Sequence, residues 1–162
     1  MKRNLIITLM LFVAILKLQA QDKKIISGNS FSILLPQKEL AEVYEVGLGI
    51  YANFDYELSE HFAARLDLGW NDVAGPENEY QDTDGNTHTD HTNTSIWEIS
   101  GGLKANLSIF YVEIRGGYFT TINDWGYIPA VGLRLGIFDI QGNYSFVGDS
   151  EWAAVRMGFY WK

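Results

Sequence analysis

The residues best equipped for chemistry sit in one short run, Asp82-Thr83-Asp84-Gly85-Asn86, followed by His88, Asp90 and His91. Oxygen-rich turns of this kind suit hard cations such as calcium. If Gly85 takes the invariant glycine position of a helix–loop–helix calcium site, position 1 falls on Tyr80 and position 12 on His91. Neither supplies the carboxylate such a loop needs. Asp82, Asp84 and Asp90 therefore stay as candidate ligands of a looser surface site, with His88 beside them, against the plainer alternative of a solvated turn. His88 and His91 are three apart, a poor spacing for sharing one face of a strand, which disfavours zinc. Cysteine is absent, so there is no thiolate ligand, thiol nucleophile or disulfide framework.

A second group of ionisable residues recurs at alternate positions. Arg65, Lys104, Arg115, Arg134 and Arg156 share a parity with Glu45, Asp55, Asp67, Glu98 and Glu113. Acid–base catalysis needs titratable groups poised together, whereas here every carboxylate has an arginine or lysine to pair with. A balanced set of five and five suits a lumen charge network, because a buried charge is tolerable only when paired.

The segments that carry these residues alternate with period two. Tyr44, Val46, Leu48, Ile50, Ala52, Phe54, Tyr56 and Leu58 interleave with Glu45, Gly47, Gly49, Tyr51, Asn53, Asp55 and Glu57. After a tight Leu58-Ser59-Glu60 turn, Phe62, Ala64, Leu66, Leu68 and Trp70 interleave with Ala63, Arg65, Asp67, Gly69 and Asn71. Such alternation in aromatic-rich stretches means strand. Comparable runs follow at 97–107, 110–119, 127–137, 140–146 and 153–161, and a weaker one spans Ile25–Leu35 and ends at Pro36. Pro129 is placed near the start of its strand, where a missing donor is best tolerated. The count is eight, and each long run could cross a bilayer, which takes about 9–11 tilted residues.

Tight connections at 58–60, 107–108 and 138–139 fall on the side of the termini, and longer ones at 36–42, 72–93, 121–126 and 147–150 fall opposite. That asymmetry is expected of bacterial membrane barrels. The 72–93 connection is long and acidic, with an Asp84-Gly85 pair suited to a type I′ turn and threonines able to continue the strands as a ribbon. The apolar parity carries aromatics near both strand ends: Trp70, Trp97, Tyr118, Tyr127 and Phe146 at one rim, and Tyr56, Phe62, Phe110 and Trp161 at the other. This matches the interfacial girdles of a barrel whose apolar face points outward.

Residues 1–20 read as a signal peptide: Met-Lys-Arg-Asn, an apolar run Leu5–Leu16, and Ala20 at the expected cleavage position. The barrel domain is then 21–162. Without Lys2, Arg3 and Lys17, nine of the 12 basic residues remain against 20 acidic ones, a formal charge of −11. Such a surface repels nucleic acid.

The leader, the Tyr44–Asn71 hairpin and the aromatic last strand resemble the small outer-membrane β-barrel proteins of the OmpA/OmpX type. The resemblance covers nearly all of residues 25–162 and is one of pattern. It implies insertion by the barrel-assembly machinery, which reads the last strand; Arg156, Gly158 and Trp161 resemble its polar–glycine–aromatic signal, though the chain ends on Lys162 and not on an aromatic. It also raises lipid A-modifying barrels as a comparison. Their deacylase type would resemble a His-x-Ser pair, but His61, His88 and His91 are followed two residues on by Ala63, Asp90 and Asn93.

The expectation is therefore all-β: an eight-stranded antiparallel up-and-down transmembrane barrel, exported through its signal peptide and lodged in the outer membrane. Eight strands leave a side-chain-filled interior with no aqueous channel. A non-enzymatic structural or surface-interaction role follows, with no cofactor, a monomeric state, and contact with outer-membrane lipid, lipopolysaccharide and an unknown surface ligand. The alternatives are a lipid A-modifying enzyme around His88 and Asp90, and a soluble periplasmic lipocalin-like barrel whose apolar parity points inward.

Overall fold

The computed structural model describes residues 25–38, 40–75, 77–81, 87–91 and 93–161; for 40, 43, 77–81 and 87–91 it describes the backbone alone. The expected leader and its cleavage position lie outside the described residues. Ten strands and one helical turn follow in order: β1 (Ile25–Gln37), α1 (Leu40–Val43), β2 (Gly47–Glu57), β3 (Phe62–Val73), β4 (Glu77–Gln81), β5 (Thr87–His91), β6 (Thr94–Leu107), β7 (Phe110–Phe119), β8 (Asp124–Leu135), β9 (Phe138–Val147) and β10 (Ser150–Trp161). Eight of the strands close an antiparallel barrel in the order β1-β10-β9-β8-β7-β6-β3-β2. The remaining two, β4 and β5, form the ribbon foreseen in the long acidic connection.

The weak first strand is a full member of the wall and closes the barrel. It pairs with β2 from Ile25↔Tyr56 to Leu34↔Gly47, and with β10 from Ser27↔Trp161 to Gln37↔Glu151. Pro36 does not end it. Beyond Leu34, β1 has a partner on one side only, and such an edge tolerates a residue lacking a donor. Pro129 lies in the middle of β8 and not near its start; the β8–β9 ladder is interrupted at 128–129, between Tyr127↔Phe146 and Ala130↔Asn143. The turn expected at Phe138-Asp139 is at Gly136-Ile137, with Gly136 at φ +64. A shift of two residues leaves every face unchanged but makes Asp139 a strand residue.

The burial pattern is the reverse of a water-soluble protein's. The apolar parity points out: Leu48 is 64% exposed, Leu66 44% and Leu103 56%. The charged parity points in: Asp67 is fully buried, and Arg65, Lys104 and Arg115 nearly so. A lipocalin-like arrangement would have turned Leu48 and Leu66 to the centre. Toward the rim of the longer connections the interior changes character. Leu34, Val73, Ile96, Phe119, Ile128, Val147, Trp152 and Ala154 form an apolar cluster within the wall, and Phe119 meets Trp152 edge-on at 5.4 Å between centroids.

Candidate functional site

The lumen is built around Asp67 on β3. Its carboxylate accepts from Arg65 Nε at 2.9 Å, Arg156 Nη1 at 2.6 Å, Asn53 Nδ2 at 2.8 Å and Arg115 Nη1. Four strands therefore meet at one side chain. Glu113 faces Arg65 Nη1 at 3.3 Å and Arg115 Nε at 2.6 Å, and accepts from Gln141 Nε2 at 3.0 Å. Asp55 accepts from Lys104 Nζ at 2.8 Å and Arg134 Nη1 at 3.0 Å. Glu98 sits 3.5 Å from Arg115 Nη1 and accepts from Ser100 Oγ at 2.6 Å.

Nine of the ten residues expected in the lumen network are brought together. Glu45 is not: it precedes β2 and is exposed, with its backbone N–H donating to the Ala74 carbonyl. Its place is taken by Asp139, which is buried, accepts from Arg134 Nε at 2.9 Å and receives the Tyr111 hydroxyl proton at 2.7 Å. The sequence places Asp139 in a turn, where parity does not assign it to the lumen. The formal charge of the lumen set stays balanced, five cations against Asp55, Asp67, Glu98, Glu113 and Asp139.

Three inward tyrosines complete the packing, and sequence reading gave them no role. Each lies directly opposite a glycine on the neighbouring strand: Tyr51↔Gly69, Tyr111↔Gly132 and Tyr160↔Gly28. The ring occupies the space a Cβ at that glycine would need. A cation lies over each ring, with Arg156 3.5 Å from the Tyr51 centroid, Lys104 4.0 Å from Tyr111 and Arg134 3.9 Å from Tyr160. Cation–π contacts of this kind contribute about 2 kcal/mol or more when desolvated. Their effect here is to give Lys104, Arg134 and Arg156 a second favourable neighbour besides a carboxylate.

On the outer wall the expected girdle residues lie at two levels. Near the longer connections Trp70 pairs in register with Trp97, Tyr127 stacks on Phe146 at 4.5 Å, and Tyr118 meets Trp125 at 5.5 Å. Near the termini are Tyr56, Phe62, Phe110 and Trp161, joined by Phe138 and Phe159 at 5.2 Å from each other. Of the three residues resembling an assembly signal, Arg156 and Gly158 face the lumen and Trp161 is 50% exposed on the outer wall. Above β1, Lys38 Nζ donates to Glu151 Oε1 at 2.5 Å, which raises the lysine above its ordinary pKa. Asp82 and Asp84 lie outside the described residues, as does the Asp90 side chain; among the described residues no group of three or more His, Asp or Glu is placed to hold a metal.

No protein-family model matches the chain, and no curated protein does. Among solved structures, the outer membrane protein Ail of Yersinia pestis in a phospholipid nanodisc is similar at 11% identity and TM-score 0.44, over 85% of this chain and 100% of that one. Ail in complex with the heparin analogue sucrose octasulfate gives 10% identity and TM-score 0.46, over 86% and 97%. The KdgM porin in complex with disordered oligogalacturonate gives 10% identity and TM-score 0.35, over 86% and 100%. The architecture of this chain stands on its own strand pairings: a closed, eight-stranded antiparallel barrel with its apolar face outward.

Proposed function

We propose that this chain is a non-enzymatic outer-membrane barrel protein that anchors an acidic surface and has no open pore. One observation carries it: through the middle of the wall the apolar parity of all eight barrel strands faces outward while ten charged side chains are paired inside. In water, that arrangement would leave the apolar belt without a partner. In hydrocarbon it is the stable one, because a closed barrel satisfies every backbone group internally. Barrel strands of 10 to 14 residues are long enough to span, as about 9–11 tilted residues suffice. Export through the signal peptide, insertion by the barrel-assembly machinery, a monomeric state and contact with lipopolysaccharide belong to the same proposal.

The surface-interaction part rests on how charge divides between the two rims. The lumen set is neutral, and Lys23, Lys24 and Lys162 offset Asp22, Glu57 and Glu60 toward the termini. By sequence, Lys38 is then the one lysine or arginine on the side of the longer connections, beside His88 and His91, against Glu39, Glu42, Glu45, Asp72, Glu77, Glu79, Asp82, Asp84, Asp90, Asp124, Asp149 and Glu151. Such a field favours cationic partners and repels anionic ones. The closed lumen is supported by the ionic network and the apolar cluster stacked along it.

Membrane extraction followed by heat-modifiable gel migration tests the proposal. The expected result is recovery in the outer-membrane fraction, with a compact band in cold detergent that shifts on boiling. Recovery in the soluble periplasmic fraction would contradict it. Lipid A profiles should be identical with and without the protein; a changed acylation pattern would favour the enzyme alternative.

A further inference from the structure

At the rim of the longer connections, the apolar cluster does not fill the barrel to its mouth. A cavity of about 280 Å³ remains beside it, walled by Val73, Ile96 and Ile122 and lipped by Tyr44, Thr94, Thr121 and Ser150. We propose that this mouth cavity is a binding site for a small uncharged amphiphile, an aromatic or alicyclic body bearing one hydroxyl. The inference depends on the barrel fold alone and goes beyond the surface role above.

Its size is right for such a molecule. A cavity of about 150 Å³ is enough for a benzene, and one just under the roughly 300 Å³ at which pockets for drug-sized ligands begin suits a molecule little larger than a single ring. Its walls suit an apolar body: a water needs two to four polar partners, and the Val73, Ile96 and Ile122 side chains offer none. The lip supplies orientation. The Tyr44 hydroxyl lies 3.1 Å from Thr94 Oγ1, and Thr121 Oγ1 donates to the Ser95 carbonyl. Hydroxyls committed in this way still have lone pairs to accept a proton from a ligand O–H. Charge sets the remaining limit. Among the described residues no lysine or arginine lines the cavity, and the nearest bonded neighbours include the Asp72 carboxylate, which Ser95 Oγ meets at 3.0 Å. An anionic head would find no counter-charge there.

The test is methyl NMR on the full chain folded in detergent micelles, titrated with 4-fluorophenol and, separately, with the anion 4-fluorobenzoate. Ile96 and Ile122 methyls should shift saturably with the phenol, whereas Ile50 and Ile99 on the outer belt should drift without saturating. The benzoate should bind at least tenfold more weakly. Ile122→Trp, which narrows the cavity, should weaken the saturable shift at Ile96 several-fold. Should that variant fail to fold, Thr94→Val, which keeps the shape and removes a lip hydroxyl, should weaken binding several-fold. Equal, unsaturable drift at cavity and belt isoleucines would mean simple partitioning and would overturn the proposal. So would equal binding of the benzoate, or phenol binding unchanged in a folded Ile122→Trp.

Discussion

Tyr51 lies across Gly69, its direct partner on the next strand, and fills the space where a side chain at position 69 would begin. The ring is held at three points: its hydroxyl is 2.6 Å from Asn71 Oδ1 and 3.1 Å from Glu98 Oε2, and Arg156 covers its face. Gly69→Val should therefore displace the ring and disturb the network beneath it. The expected loss is about 2–3 kcal/mol, as for overpacking in a tight core. Tyr51→Phe, which keeps the ring and loses the hydroxyl, should cost about 1 kcal/mol. Urea unfolding in lipid vesicles measures both; a Gly69→Val barrel as stable as the parent would mean the ring is free to move.

Asp67 is the side chain whose loss should hurt most. It faces three guanidiniums in a water-poor interior, and removing one partner of a buried pair costs about 3–5 kcal/mol. Asp67→Leu should fall in that range or fail to fold. The double variant Asp67→Leu with Arg115→Leu should recover part of the loss, because one orphaned cation goes with it. A double variant less stable than the single would contradict the pairing.

The faces of β3 give a sharper contrast. Leu66 and Asp67 are adjacent, yet one points out and the other in. Leu66→Arg should cost about 2–4 kcal/mol, the range for a basic side chain at the bilayer midplane of a barrel, and should block stable insertion. Normal folding of this variant in vesicles would mean that the outer face is not lipid-facing.

How much of this was legible in the sequence follows from period two. Parity alone separates Leu48, Leu66 and Leu103 from Arg65, Lys104 and Arg115, and the strand count and alternating rims follow from it. Strand limits are less legible: Pro36 reads as a strand end and Pro129 as a residue near a strand start, and both are wall residues, at an edge and at a ladder break. The two-residue error at the β8–β9 turn hid Asp139. Inward tyrosines carry no signal of their own, since Tyr suits either face. Read across a turn at 58–60, Tyr51 would face Asp67; the observed turn is wider, with Glu57↔Ala63 as its last pair, and that sets Tyr51 opposite Gly69. The apolar cluster also left a trace: near the longer connections both parities become apolar, as in Ile96-Trp97, Tyr118-Phe119, Tyr127-Ile128 and Phe146-Val147.

Among the described residues the ribbon of β4 and β5 pairs only with itself, while β3 and β6 pair directly as far as Val73↔Thr94. Deleting residues 77–91 should accordingly leave the barrel intact. Folded yield and heat-modifiable migration should match the parent; collapse of either would show that the acidic connection supports the wall.

Brominated-lipid quenching of single-tryptophan variants tests the inverted burial most directly. Trp97 is 59% exposed on the outer wall, and Trp152 is 3% exposed within the apolar cluster. In vesicles, bromine on the acyl chains should quench Trp97 strongly and leave Trp152 bright. Strong quenching of Trp152 with Trp97 unaffected would contradict the assignment of the outer face to lipid.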